Sequence, residues 1–330
     1  MWVCKDCFLD EEIRKEVENN STGEGRCDVC GKNGKRCDIS VFADFFVSVV
    51  RLFKSDDTSQ DTIISLLEKD WNIFVNAQCA QTILSEVIST NGLDFSLDDT
   101  VSYTDEIISR VSVWEQLKIE VKENYRYFVD HEKFDSYADL SPLSTLEEGA
   151  FLFRARITPD GQKKLKPKKM GCPEKGKATA GRANPLGIPY LYLCKDEETT
   201  FYEVRSVYLD RLSIGKFKIQ RDLNIVDFNS KSSLFLSFDG VNSLPDTVVK
   251  KLIQDAISRD LSKPLRRYDT ELEYIPTQLI CEYCKRNNAD GICFNSSLHS
   301  GGVNYVLFNP EDAKCISVIS REVRAIHIGV

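Results

Sequence analysis

Apolar residues recur every three or four positions along four stretches between residues 41 and 128, the spacing of a helix that buries one face. The stretches are "VFADFFVSVVRLF" (41–53), "DTIISLLEKDW" (61–71), "AQTILSEVIST" (80–90) and "TDEIISRVSVWEQLKIEVKENYRYF" (104–128). Helices of this kind pack their apolar faces together. The pattern therefore predicts an α-helical domain over residues 41–140, with four or more helices in one bundle.

The pattern changes near residue 135, where short runs that favour β-strands begin. These runs are "FLFRARI" (151–157), "YLYLC" (190–194), "FKIQ" (217–220), "GICF" (291–294), "NYVLF" (304–308) and "CISVIS" (315–320). Helical patterns lie between them at "DEETTFYEVR" (196–205), "PDTVVKKLIQDAIS" (245–258) and "LEYIPTQLICEYCKRN" (272–287). The sequence therefore predicts a mixed α+β domain over residues 145–330.

Two cysteine pairs mark residues 1–40 as a small metal-binding module. Cys4 and Cys7 form one C-x-x-C pair, and Cys27 and Cys30 form another, followed by a glycine. Each spacing lets a tight turn point two thiolates at one ion, so the pairs predict a four-thiolate Zn²⁺ site with a structural role. Free thiols or a redox pair are the alternatives, and Cys37 is a possible substitute ligand.

Composition limits the function classes. The chain has 330 residues, 42% hydrophobic content and a formal net charge of −8, so it does not offer a general electrostatic grip on nucleic acid or on an anionic membrane. No apolar run approaches the roughly 18 residues of a membrane span. We expect a cytoplasmic protein whose twelve cysteines are reduced.

Several further signals carry less weight. Cys281 and Cys284 form a C-x-x-C pair inside a helical pattern, and we interpret them as packing residues. Seven lysines in residues 163–177 either steer an anionic ligand or form a solvated loop. The chain has no G-x-G-x-x-G fingerprint and no G-x-S-x-G nucleophile elbow, which disfavours a Rossmann dehydrogenase and an α/β-hydrolase.

Three blocks of the second half resemble a known family. They are "FLFRARI" (151–157), "GRANPLGIPYLYLCKDEETTFYEVR" (181–205) and "YIPTQLICEYCKRNNADGICFNSSLHSGGVNYVLF" (274–308), and together they resemble the RES domain. The resemblance implies a fold similar to ADP-ribosyltransferases. It also implies action on NAD⁺, from which toxins of this family release nicotinamide with phosphate or water as the acceptor.

The resemblance assigns five candidate catalytic and NAD⁺-binding residues: Arg154, Arg182, Tyr192, Glu203 and Ser296, with Ser297 as an alternative to the last. Their chemistry suits the reaction. Cleavage of a glycosidic bond passes through an oxocarbenium-like state, which a carboxylate such as Glu203 stabilises. The two arginines suit a pyrophosphate, the Tyr192 ring suits nicotinamide, and a serine hydroxyl suits its amide or a ribose oxygen.

The region before the RES-like blocks resembles, more loosely, the HEPN/RES-type N-terminal region found ahead of some larger RES domains. Arg126 and His131 have a spacing seen in HEPN ribonucleases, so RNA cleavage is an alternative of low weight, and a nucleic-acid partner is not expected. His299, near Ser296, is a further candidate for contact with a ligand.

We therefore expect an NAD⁺-consuming toxin or bacterial defence enzyme, held in check by an antitoxin, a regulatory protein or residues 1–140. One alternative is an ADP-ribosyltransferase with a macromolecular target. The other is a non-enzymatic, zinc-dependent interaction protein.

Overall fold

The computed structural model of the chain describes residues 1–129, 144–229, 232–238, 240, 243–263 and 271–325. His131 and His327 lie outside these residues, so the ribonuclease alternative stays a prediction. The chain divides into two compact units, Met1–Val113 with Lys231–Ile253, and Trp114–Ser230 with Gln254–Val330. The three-part domain division made from the sequence also stays a prediction.

Every stretch with predicted helical spacing contains a helix, and the described residues include two helices that were not predicted, Glu11–Asn19 and Leu234–Phe238. The bounds of the helices are α1 Glu11–Asn19, α2 Ala43–Val50, α3 Ile63–Asp70, α4 Ala77–Thr90, α5 Asp105–Val111, α6 Val113–Ile119, α7 Glu197–Glu203, α8 Leu234–Phe238, α9 Leu244–Ser262 and α10 Ile275–Arg286. Polar side chains define several starts, since Thr62 and Asn76 accept hydrogen bonds from main-chain N–H groups in the first turns of α3 and α4.

The strands include all six predicted runs. Their bounds are β1 Trp2–Cys4, β2 Gly23–Arg26, β3 Asn33–Asp38, β4 Phe53–Ser55, β5 Val101–Tyr103, β6 Ser144–Leu146, β7 Phe151–Ile157, β8 Leu191–Cys194, β9 Arg211–Ile219, β10 Leu223–Asp227, β11 Gly291–Asn295, β12 Val303–Leu307 and β13 Ala313–Glu322. Strands β1 to β6 and β10 were not predicted, because each has only three to six residues and most of them lack a run of aromatic or β-branched side chains.

The first unit combines two small sheets with an aromatic core. Its sheets have the orders β1-β3-β2 and β4-β5, and both are antiparallel. A cluster of phenylalanines fills the core, with ring centroids 5.0 to 6.5 Å apart: Phe8, Phe42, Phe45, Phe46 and Phe74. Rings at these separations add specific edge and offset contacts to the burial of apolar area, and so stabilise the unit.

The second unit is built on an eight-stranded sheet with the order β13-β9-β7-β8-β12-β11-β10-β6. Neighbouring strands are antiparallel, except that β10 and β11 run parallel. One face carries a buried apolar cluster that includes Leu191, Leu193 and Leu307. Successive side chains of a strand point to opposite faces, so Tyr192 faces away from this cluster.

The sheet opens between β7 and β8. These strands pair at one position, Phe153 opposite Cys194, whereas β7 pairs with β9 along its whole length. A sheet that opens beside a single pair has space for a ligand between its strands. The candidate site lies at this opening.

Candidate functional site

A cavity of about 390 Å³ lies where β7 and β8 separate. This volume is within the range of small-molecule sites. Four of the predicted site residues line it together: Arg154, Arg182, Tyr192 and Glu203. Residues that the sequence did not single out complete the wall: Phe153, Ala155, Gly181, Leu193, Cys194, Thr200, Val204, Tyr274, Phe294, Asn304 and Tyr305.

Glu203 is the last residue of α7. The helix begins at Asp196, whose carboxylate accepts hydrogen bonds from the main-chain N–H and the hydroxyl of Thr199. At the other end, Oε1 of Glu203 accepts two hydrogen bonds, from Ser296 Oγ at 2.7 Å and from Asn304 Nδ2 at 2.7 Å. The carboxylate at the cavity is therefore held from two other parts of the chain.

The two candidate serines point to different partners. Ser296 Oγ donates to Glu203 and accepts from the main-chain N–H groups of Leu298 and His299, each at 3.2 Å. Ser297 Oγ instead donates to the carbonyl oxygen of Ser262 at 2.6 Å. The structure thus brings Ser296, and not Ser297, to the carboxylate.

Arg182 is fixed at both its backbone and its side chain. Its Nη1 donates to the carbonyl oxygens of Leu261 and Ser262 at the end of α9, both at 3.1 Å, where cations are favoured. Thr277 Oγ1 donates to the Arg182 carbonyl oxygen at 2.6 Å. Within the described residues, no hydrogen bond joins Arg182 to Glu203.

Tyr192 ties the strand to the loop that carries Arg182. Its hydroxyl donates to Asn184 Oδ1 at 2.8 Å and accepts from the Ala183 N–H at 3.1 Å. Burial raises the pKa of this phenol well above its usual value. A Cβ on Gly181 would lie 2.8 Å from the hydroxyl, so close packing requires glycine here.

Arg154 contributes an unsatisfied donor. It lies on β7 opposite Gly215, and its Nη1 atom is buried with no hydrogen-bond partner among the described residues. Burial, with repulsion from Arg156 as a smaller cause, lowers the pKa of the guanidinium, which stays protonated. A buried cationic donor without a partner is costly unless a ligand satisfies it.

His299 supports the site from outside the cavity. Its Nδ1 lies 3.0 Å from Thr199 Oγ1, and its ring stacks on Tyr202 with centroids 4.7 Å apart and planes 3° apart. These contacts attach the loop that carries Ser296 to α7. The lysine-rich segment 163–177 also contributes no residue to the wall of this cavity.

The C-terminal half of the chain matches a family model. The model is that of the RES domain, and it matches residues 152–326, more than half of the chain. The chain belongs to the RES domain family. All five candidate site residues lie within the matched RES domain, and so does the Asn304 that contacts Glu203.

Other comparisons add little to the family. A solved structure of the M. tuberculosis MbcT–MbcA toxin–antitoxin complex is similar to 67% of this chain and covers 93% of its own, at 13% identity and a TM-score of 0.32. This similarity is too low to support a conclusion about activity or partner. No curated protein matches the chain. Among the helices that the structure describes, none has both the length and the apolar composition needed to cross a bilayer.

The sequence of this RES domain did not predict that Asn304 contacts the Glu203 carboxylate. A signal exists in "VNYVL" (303–307), where one amide side chain interrupts an apolar strand. A buried amide needs hydrogen-bond partners, so an asparagine at this position indicates a polar contact on its face of the sheet. The identity of that contact depends on β12 lying beside β8, which periodicity does not reveal.

The four predicted thiol ligands gather outside the RES domain. Sγ atoms of Cys4, Cys7, Cys27 and Cys30 all lie within 4.8 Å of one another, and three of the separations are 3.4, 3.6 and 3.9 Å. Tetrahedral Zn²⁺ with Zn–S bonds of about 2.3 Å requires sulfur separations of about 3.8 Å. The cluster can therefore hold a metal ion, and these residues fit zinc.

Local structure around the second pair favours such a site. The Cys30 N–H points at Cys27 Sγ, 3.5 Å away, and Gly31 closes the turn at a positive φ of 73°. Cys37 is buried and is not part of the cluster. Cys281 and Cys284 are fully buried in α10, which confirms their prediction as packing residues.

Proposed function

We propose that this RES domain protein is an NAD⁺-consuming toxin or defence enzyme. It cleaves the bond between nicotinamide and ribose, with water or phosphate accepting the ADP-ribose. The observation that carries the proposal is the convergence of Arg154, Arg182, Tyr192 and Glu203 on one cavity. The finer description of the fold as similar to ADP-ribosyltransferases is part of the same proposal.

Charge development explains why this set of residues suits the reaction. Loss of nicotinamide leaves positive charge on the ribose ring, and a carboxylate fixed in advance stabilises that charge without reorganising. Glu203 is fixed in this way by its two donors. Ser296 holds the carboxylate through one of these two hydrogen bonds.

Arg154 and Arg182 are the reason for proposing a dinucleotide as the substrate. Among the described residues Arg154 has a buried Nη1 donor without a partner, and Arg182 uses Nη1 for the end of α9 and is part of the cavity wall. Planar guanidinium groups bind phosphate oxygens with two parallel hydrogen bonds. The Tyr192 ring offers an aromatic face for nicotinamide, while its hydroxyl holds the loop.

The four thiolates of the first unit would hold a structural Zn²⁺. Four protein ligands leave no position for water, so the ion would stabilise the fold of this unit and take no part in the chemistry. An enzyme that consumes NAD⁺ inside a cell also requires restraint. A protein antitoxin or another regulatory partner is therefore part of the proposal.

Nicotinamide release from NAD⁺ by the purified protein, followed by NMR with and without phosphate, tests this function. We expect Glu203→Gln to lower the rate by about a hundredfold or more, because it removes the fixed negative charge. Glu197→Gln, in the same helix but absent from the cavity wall and paired with Arg321, is the matched control and should stay within about threefold of wild type. Equal rates for Glu203→Gln and wild type would refute the proposal.

One observation favours a macromolecular acceptor as the second candidate. Directly after α7, the side chains of Val207, Tyr208 and Leu209 are 60% to 63% exposed, which is apolar surface suited to a protein target. An ADP-ribosyltransferase would release nicotinamide faster when its target is present, and it would label that target. A release rate that a cell extract does not raise, with no labelled protein in that extract, would count against this alternative.

A further inference from the structure

Asn304 lies in the middle of the catalytic sheet with its side chain buried. It belongs to β12, between Cys194 of β8 and Phe294 of β11, and is 7% exposed. Val303 and Tyr305, its neighbours in the strand, pack on the apolar cluster, so Asn304 faces the opposite side with Tyr192. A polar side chain buried in a sheet is unfavourable unless its donors and acceptor are used.

The hydrogen bonds of Asn304 fix the direction of its amide. Cys194 Sγ donates to Oδ1 at 3.3 Å, and Nδ2 donates to Glu203 Oε1 at 2.7 Å. An ionised carboxylate only accepts hydrogen bonds, so the NH₂ end must face Glu203. The thiol of Cys194 can then donate to the oxygen end of the amide.

Both donors meet the same carboxylate oxygen. Ser296 Oγ and Asn304 Nδ2 donate to Oε1, whereas within the described residues no hydrogen bond reaches Oε2. Charge-assisted hydrogen bonds are the strong ones, and two of them on one atom restrict rotation of the whole carboxylate. The remaining oxygen is left for whatever enters the cavity.

We propose that Asn304 is a positioning residue of the reaction. Together with Ser296 it holds Oε1 of Glu203, so that Oε2 is the oxygen that meets the ribose as positive charge develops there. This assignment rests on the proposed function. In this assignment Oε1 of Glu203 is the held oxygen and Oε2 is the reacting oxygen. Asn304 was not among the candidate residues predicted from the sequence.

Asn304→Leu tests the assignment, because leucine has a similar volume and cannot donate. We expect kcat for nicotinamide release to fall about ten- to hundredfold, as for the loss of one hydrogen bond to a charged group. KM should change by less than about threefold, since the arginines that bind phosphate are untouched. If Asn304 only fills space, the leucine variant should keep the kcat of wild type.

Two controls separate positioning from packing. Asn229→Leu replaces another amide, whose Oδ1 and Nδ2 atoms are buried without partners among the described residues, and it should leave kcat unchanged. Asn304→Asp keeps the size and the acceptor for Cys194 but replaces the donor with a carboxylate oxygen beside Glu203. The lost hydrogen bond and the like-charge repulsion should both lower kcat, so this variant repeats the test if the leucine variant melts early. Thermal melting of every variant reports folding independently of activity.

A double variant tests the shared oxygen. The double variant combines Ser296→Ala with Asn304→Leu. If both residues hold one oxygen atom, its fold-loss in kcat should differ by about threefold or more from the product of the two single fold-losses. Losses in kcat that simply multiply would contradict the proposal that both residues hold Oε1 together. Wild-type kcat in both Asn304 variants would overturn the assignment and leave the proposed function standing, whereas no release by wild type would remove both.

Discussion

Ser296 and Ser297 are adjacent in sequence, yet their hydroxyls serve different parts of the molecule. Ser296 donates to Glu203, while Ser297 donates to the end of α9 at Ser262. The sequence left open which hydroxyl works, because the choice depends on partners 93 and 35 residues away. The geometry favours Ser296 at the reacting centre and gives Ser297 a structural contact.

Alanine substitution of each serine should separate the two roles. We expect Ser296→Ala to lower kcat about tenfold or more with little change in melting, because it removes a donor to the carboxylate. Ser297→Ala should keep kcat and lose about 1 kcal/mol of unfolding free energy, because it removes one neutral hydrogen bond. Activity lost in Ser297→Ala alone would reverse the assignment.

At the scale of elements, the loop over residues 181–184 carries a candidate binding residue and is held by a strand and a helix. It carries Arg182, and Tyr192 holds it through two hydrogen bonds. Gln278 Nε2 also donates to the Gly181 carbonyl oxygen at 2.8 Å, which joins the loop to α10. The position of the arginine therefore depends on a strand and a helix that follow it in sequence.

Gly181→Ala should disturb this loop. The added Cβ would lie 2.6 Å from Asn184 Oδ1 and 2.8 Å from Tyr192 Oη, so the loop or the tyrosine must move. We expect a higher KM for NAD⁺ and a loss of about 1 to 3 kcal/mol in unfolding free energy. Gly171→Ala, where a Cβ would meet nothing within 4 Å, is the control and should match wild type in both measurements.

After residue 150, the sequence pattern predicted the strands β7, β8, β9, β11, β12 and β13 and the helices α7, α9 and α10, but not β10 or α8. It did not predict the strand order, since β9 lies between β7 and β13 and no local pattern encodes that neighbour. The candidate residues of the cavity were assigned by resemblance. Asn304 was missed because its contact with Glu203 spans 101 residues.

At the scale of the whole chain, the metal cluster lies outside the part that matches the RES domain, which is residues 152–326. Sulfur ligands from two turns, 20 or more residues apart, meet in the first unit. Without an ion, four thiols at these separations contribute little to holding the turns together. The first unit should therefore depend on metal for its stability.

Metal analysis and melting test this dependence. We expect about one zinc per chain in the purified protein, and loss of zinc with a lower melting temperature in Cys4→Ser and in Cys30→Ser. Cys315→Ser, a substitution in β13, should retain both zinc and stability. Full zinc content in Cys4→Ser would contradict the four-thiolate site.

The opening of the sheet after the single pair of Phe153 with Cys194 has a consequence for inhibition. Strands that separate in this way turn main-chain N–H and C=O groups toward the gap, and a side-chain substitution does not remove such groups. A compound with a planar amide fitted to this edge would bind through contacts that only a substitution to proline can delete. Resistance to it would have to arise from such a proline or from a change in the shape of the gap.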